Sequence, residues 1–366
     1  MAEYRGAVIG LGWMGMLSDI ATRDDTRYNL DDPDRPMPTV DIHRRIHHHD
    51  HPGSEGQAKT YCGAMWDRPE VQLVAGADRD AKRLKVFTQR YGVDATYTDA
   101  AEMLTSQKPD IVAVATNVKG RADLTCLAVE CGAKAIVTEK PMAHTLAEAD
   151  RMVHACAQAN VPLCCGQIST IHPSFGRARQ LLTEGAIGEL ISIEALGPYS
   201  QHQNWSYFLD TAPAWVVGTG DPPRREGGSD EFEGSGMLIT QSGLVVHFRR
   251  NSTTGGVRLS GTSGQMLFSF EDGWQIWQDI ETGAGKRRVE MPWPDPQFRA
   301  YGPAYCLADV LDCLAGKLDE PKNSGRRVRV AIEVEIALKQ SSANHGARVD
   351  LPLADRSPGL NYDWFR

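Results

Sequence analysis

Two short stretches hold residues whose types and spacing can do chemistry. Gly10-x-Gly12-x-x-Gly15 follows the apolar, β-prone run Ala7-Val8-Ile9. Gly10 permits a tight turn, Gly12 lets backbone approach a pyrophosphate, and Gly15 lets a helix pack closely on the strand. The N-terminus of that helix offers free N–H groups and partial positive charge to phosphates, which places Trp13 and Met14 among the candidate contacts. Glu139-Lys140-Pro141 follows a second apolar run, Ala135-Ile136-Val137-Thr138. A lysine beside a bound cation and out of water has its pKa lowered, so at neutral pH it can hydrogen-bond to or deprotonate a hydroxyl. The plain alternative is a surface lysine after a strand.

A third position completes the pattern. Asp78 ends the run Val71-Gln72-Leu73-Val74-Ala75-Gly76-Ala77, where a carboxylate can accept hydrogen bonds from an adenosine ribose diol. The usual separation from the glycines is about 20 residues, but Asp78 stands 63 positions after Gly15 (78 minus 15). The match therefore requires a loop-out. Residues from about 24 to 53 supply one, being polar, rich in proline and aspartate, and ending in His47-His48-His49-Asp50-His51. Adjacent histidines point in different directions, so no metal site is assigned to them. A long irregular segment leaving the chain beside Gly15 is expected to cover the site or meet another subunit. Asp78 can equally cap the helix that follows. Arg79 would favour a ribose 2′-phosphate, which the carboxylate repels, so NAD is the expected cofactor rather than NADP.

The elements that must position these residues alternate strictly. Helical patterns lie between the strands at 71–78, 95–97, 111–115, 135–138 and 161–165, and one resumes at Ser54–Lys59 after the insertion. Strands this apolar between amphipathic helices form a parallel sheet covered on both faces, with ligands bound beyond the strands' carboxyl ends. Gly10, Asp78, Thr116 with Asn117, and Glu139 then share one rim. From about residue 187 strand-like runs follow one another through glycine turns, at 190–195, 236–240, 243–249, 256–259, 265–270, 273–279 and 287–291, which reads as an antiparallel sheet. Late helices are expected at 304–315 and 326–342. The fold class is α/β, a Rossmann doubly wound parallel sheet over residues 1–170 (with the insertion), then an α+β domain over 171–366 with a large, mostly antiparallel open sheet.

Composition narrows the function classes. The 366 residues are 41% hydrophobic and 23% charged, with a net charge of −8, which argues against nucleic-acid partners. No apolar run is long enough to span a bilayer. The chain opens directly on its first strand, and its eight cysteines include no CxxC pair. Both features predict a cytoplasmic protein with reduced, mostly buried thiols.

Together these features resemble the glucose–fructose oxidoreductase/inositol dehydrogenase (Gfo/Idh/MocA) family over nearly the whole chain. The resemblance rests on the glycine motif, Pro69-Glu70-Val71-x-Leu73-Val74 leading to Asp78, and Glu139-Lys140-Pro141. Further on are Gly185-x-Ile187-Gly188-Glu189, Gly261-Thr262-Ser263-Gly264, Pro321-x-x-Ser324-Gly325 and Val349-x-Leu351-Pro352-Leu353. It implies an NAD(P)-dependent dehydrogenase or reductase of sugars, glycosides or cyclitols, whose open sheet builds a homodimer or homotetramer. It also implies that Lys140 sits near the nicotinamide and the reacting carbon, and that a histidine early in the second domain accepts the proton. His202 is the best match to that histidine. Its usual aspartate partner is replaced by Pro198, which makes His172 a competitor. Gln167, His172, Tyr199 and His202 join Lys140 as expected substrate contacts, and Trp205 and Tyr207 can stack on a sugar face or lie in the core.

The chain departs from the family pattern at Thr116-Asn117-Val118-Lys119-Gly120-Arg121, where a proline and a histidine are lost, and at Thr170-Ile171-His172-Pro173. These departures leave the substrate open. Two other readings stand beside a net dehydrogenase: a redox-neutral enzyme that cleaves a glycoside after transient oxidation, and a non-catalytic dinucleotide-binding sensor or subunit.

Overall fold

In the computed structural model, residues 2–22, 58–166, 169–197, 204–223, 230–250, 252, 255–269, 272–295 and 302–360 are described. The insertion at 24–53 with its histidines, and the candidates Gln167, Tyr199 and His202, lie outside them. The chain divides into two units, residues 1–144, 148–167 and 298–325 in one, and 145–147, 168–297 and 326–366 in the other. This differs from a single cut near residue 170. The helix Gly302–Leu314 and the segment to Gly325 return to the first unit. Asn323 and Cys306 there donate to the backbone at Cys165 and Gly166.

The first unit is built on β1 (Tyr4–Ile9), β2 (Val71–Ala77), β3 (Thr96–Tyr97), β4 (Ile111–Val114), β5 (Ala135–Thr138) and β6 (Leu163–Cys165). They form a parallel sheet in the order β3-β2-β1-β4-β5-β6. Every residue of β4 and β5 is buried, as a sheet covered on both faces requires. The order reverses between β1 and β4, which is where such sheets open a crevice for ligands. Local chemistry sets the helix starts. Asp80 accepts from Lys82 N, and Asp99 from Ala101 N and Glu102 N. After the insertion the described helix is Tyr61–Asp67, capped by Thr60, whose hydroxyl accepts from Gly63 N at 3.1 Å. Helix was expected from Ser54 through Lys59. Ala58 and Lys59 are not helical, because the capping hydroxyl fixes the start at Tyr61.

The second unit carries β7 (Leu190–Leu196), β8 (Pro213–Thr219), β9 (Ser235–Thr240), β10 (Val245–Arg249), β11 (Gly256–Gly261), β12 (Gly264–Ser269), β13 (Gly273–Thr282), β14 (Gly285–Met291) and β15 (Val349–Asp350). They form one sheet in the order β14-β13-β12-β11-β7-β10-β9-β8-β15. It is mostly antiparallel, with one exception: β7 and β10 pair in parallel, Val246 opposite Ile193. Two strands, β8 and β15, escaped the sequence reading. Proline opens β8, and β15 is too short to show a period.

The helix Gly325–Ala343 packs on this sheet at β8, where a Cβ on Gly218 would lie 2.5 Å from the Leu338 carbonyl. Distant motifs of the second unit prove to be mutual contacts. Glu189 N donates to Thr262 Oγ1 at 3.0 Å and Ser263 N to the Ile187 carbonyl at 2.9 Å. Leu353 N donates to buried Glu333 at 2.9 Å. An aromatic cluster fills the core, with Phe175 and Trp274 edge to face at 5.0 Å and Trp274 stacked on Trp293 at 5.6 Å. Trp205 and Tyr207 are buried in this core, against Phe248 and beside the Arg179 and Arg327 guanidiniums respectively, and are not free to stack on a sugar.

Candidate active site

The three glycines of the first loop meet three different demands. Gly10 adopts φ +88°, and a Cβ there would lie 2.7 Å from the Ala115 carbonyl. Gly15 faces Gly10 so closely that a Cβ would collide with the Gly10 carbonyl. Both are therefore explained by how β1, β4 and the following helix pack. Gly12 is not. Its φ of −72° suits any residue, and a Cβ would meet only Arg83 Nη1, at 3.7 Å. The space beside Gly12 is what a pyrophosphate pressed against the backbone needs, so the loop fits a dinucleotide. Beyond it Trp13–Leu17 is wound as a π-helical turn, with Met16 N and Leu17 N both donating to the Gly12 carbonyl, and continues as the helix Ser18–Thr22. The N–H groups of that first turn lie at the loop.

Asp78 is tied to this loop. Its Oδ2 accepts from Leu11 N at 2.7 Å and lies 3.3 Å from Arg83 Nη1, and its Oδ1 accepts from Asp80 N at 2.9 Å. The side chain is 8% exposed. A carboxylate offers about four lone-pair positions, and these three donors leave room for a ribose hydroxyl. Capping of the next helix falls to Asp80 rather than Asp78. Arg79 is exposed, and Arg83 is the arginine that reaches the carboxylate. Sequence reasoning missed Arg83. Its place one turn into the helix, three residues after Asp80, was the available signal.

Glu139 and Lys140 follow β5 directly. Register places Ile9, Val114 and Thr138 side by side at the ends of β1, β4 and β5, so the loops at Gly10, Thr116 and Glu139 occupy one rim. Glu139 is buried. Its Oε1 accepts from the Tyr61 hydroxyl at 2.8 Å and its Oε2 from Lys140 N at 3.1 Å. Burial, then the neighbouring Glu139 carboxylate, pushes the Tyr61 phenol well above its ordinary pKa, so it stays a donor. Behind Lys140 stands Gly166 at φ +74°, where a Cβ would lie 2.9 Å from the Lys140 Cβ. Lys140 itself is half-buried.

Arg121, at the start of the helix Arg121–Glu130, is 1% exposed and donates to the carbonyls of Thr116, Glu139 and Pro141. Thr116 is half-buried and Asn117 exposed, with Thr116 Oγ1 donating to the Asn117 carbonyl at 3.0 Å. Neither Tyr61 nor Arg121 was singled out as functional from the sequence. Tyr61 lies far along the chain from its partner, and two of the carbonyls that Arg121 reaches, at Glu139 and Pro141, lie beyond the end of its own helix. In the second unit, His172 is the half-buried residue preceding the helix Pro173–Thr183.

All eight cysteines are free thiols, five of them buried. Among the described residues no helix is long and apolar enough to cross a membrane.

Comparisons with known proteins follow the same lines. Residues 53–167 match the model of GFO_IDH_MocA, the oxidoreductase family with an NAD-binding Rossmann fold. D-apiose dehydrogenase of Paraburkholderia graminis is 36% identical over 131 residues, 36% of this chain and 35% of the relative. Trans-1,2-dihydrobenzene-1,2-diol dehydrogenase of Mus musculus is 30% identical over 121 residues, 33% of this chain and 36% of the relative. The chain thus spans about a third of the length of the curated relatives it matches. An NAD-binding oxidoreductase from Klebsiella pneumoniae superposes with a TM-score of 0.67 at 16% identity, covering 96% of this chain and 100% of its own. That likeness is one of fold.

Proposed function

We propose that the chain, whose residues 53–167 match the model of the Gfo/Idh/MocA oxidoreductases with an NAD-binding Rossmann fold, is an NAD-dependent dehydrogenase. It transfers a hydride between a ring secondary alcohol of a sugar, glycoside or cyclitol and NAD. The observation that carries this reading is the placement of Lys140 at the carboxyl end of β5, on the rim shared with the Gly10–Gly15 loop. Relatives named for a sugar and for a ring diol support the substrate class.

NAD, when bound, supplies the hydride acceptor. The Gly12 backbone and the first helical turn hold its phosphates, and Asp78 takes the ribose diol. Lys140 is assigned to the reacting oxygen, where its ammonium stabilises developing alkoxide and its amine takes up or returns the hydroxyl proton. Glu139 acts through its buried carboxylate, orienting the Lys140 backbone. His202 is assigned as the base or shuttle, with His172 the alternative; both rest on the sequence. The same reading gives a homodimer or homotetramer, and exposed Ile191, Ile280 and Met291 on the second unit's sheet are consistent with surface that association covers.

The test is a screen of polyols, aldoses and glycosides with NAD, following NADH absorbance. Net NADH formation with a cyclic polyol or sugar is the expected result. Tight NAD binding with no net NADH on any of them would overturn it: sugar released from a glycoside would favour the redox-neutral enzyme, and no turnover at all a non-catalytic dinucleotide-binding protein.

A further inference from the structure

We propose that Arg121 is a positioning residue for Lys140, clamping the loop that carries it to the loop after β4. This rests on the dehydrogenase reading above. The geometry is specific. One guanidinium donates to the Glu139 and Pro141 carbonyls, which flank Lys140, and to the Thr116 carbonyl on the neighbouring loop. Only arginine offers a planar fork of donors wide enough to serve both loops at once. The side chain is 1% exposed, so a charge has been taken out of water. Burial pulls its pKa down, and the neighbouring Glu139 carboxylate opposes that pull. Such a cost is offset only when several acceptors are satisfied together.

The cradle is closed from the other side. Tyr61 and Lys140 N hold the two Glu139 carboxylate oxygens, and Gly166 abuts the Lys140 Cβ. The backbone on both sides of Lys140 is therefore pinned. A histidine at position 121, with two ring nitrogens, cannot reach three carbonyls on two loops.

The loops that Arg121 joins follow β4 and β5, on the far side of the glycine loop from Asp78. In this topology that is the nicotinamide half of the crevice. Losing the clamp is thus expected to affect recognition of the nicotinamide end and leave the ADP-ribose end unchanged.

The experiment compares binding of NADH and of ADP-ribose, which lacks nicotinamide, to wild type, Arg121→Met and Arg121→Lys by titration calorimetry, with melting curves to establish folding. Wild type should prefer NADH. In folded Arg121→Met that preference should fall about tenfold, the size of one or two lost hydrogen bonds, with ADP-ribose affinity held. Arg121→Lys, which keeps the charge but lacks the fork, should lie between them. Where a substrate is in hand, kcat should fall about 10²-fold in Arg121→Met with KM for the sugar little changed.

An unchanged preference in folded Arg121→Met would overturn the assignment and leave Arg121 a stabilising residue only. Should Arg121→Met not fold, Arg121→Lys decides: a reduced preference supports the clamp and an unchanged one overturns it. Wild type that binds neither ligand would instead overturn the dehydrogenase reading, and the assignment with it.

Discussion

The Tyr61 hydroxyl donates to Glu139 Oε1 at 2.8 Å across 78 residues of sequence, and both side chains are buried. The bond fixes one carboxylate oxygen so that the other receives Lys140 N. Tyr61→Phe removes the donor and leaves the buried acceptor short of a partner. It should lower stability by about 1–3 kcal/mol in urea denaturation, the cost of an unmet buried acceptor. A midpoint equal to wild type would mean that water replaces the hydroxyl.

Gly12 and Gly15 should separate ligand recognition from folding. Gly12→Ala finds room within the chain, so its melting curve should match wild type while NAD affinity collapses. Gly15→Ala drives a Cβ into the Gly10 carbonyl and should unfold the protein at lower denaturant. Retained NAD binding in Gly12→Ala would show that the pyrophosphate does not press on this loop.

Asp78→Ala should weaken NAD binding by about 10–100-fold, the size of one charge-assisted hydrogen bond. NADP binding should weaken less, because the lost carboxylate no longer repels the 2′-phosphate. Paired titrations of both cofactors check this. A wild type that prefers NADP would instead put Arg83 or Arg79 in charge of the ribose end.

Lys140→Ala should fold, bind NAD and lose turnover by orders of magnitude. His202→Ala should cost less, roughly 10²–10⁴-fold if it is the general base. An unchanged pH–rate profile in His202→Ala would move the role to His172, the next residue to replace.

Stability should decline in alkali. Burial pushes the Cys156 and Cys313 thiols up to about 12 and raises Cys165, Cys306 and Tyr61 well above their ordinary values. Unfolded thiols ionise near ~8.5 and phenols near ~10. Above those values the unfolded state binds fewer protons than the folded one, so unfolding becomes easier as pH rises. Urea midpoints should hold to about pH 8 and fall beyond it, and Cys156→Ala should soften the fall. A midpoint that rises from pH 8 to 10 would contradict the burial of these groups.

The sequence by itself determined the parts whose physics is local. Gly10-x-Gly12-x-x-Gly15 after an apolar strand, the strand–helix alternation, and Glu139-Lys140-Pro141 after another apolar strand are written in neighbouring residues. The parallel sheet and its rim followed from that periodicity. Only the tertiary structure decided which residues hold these motifs in place. Nothing near Tyr61 announces that its hydroxyl reaches Glu139, and nothing at Arg121 announces three carbonyls on two loops, because hydrogen bonds between distant segments leave no period in the sequence. The same holds for Arg83 at Asp78, for the return of residues 298–325 to the first unit, and for the parallel pairing of β7 with β10. Periodicity reports which face of an element is buried; what it is buried against is set by packing over the whole chain.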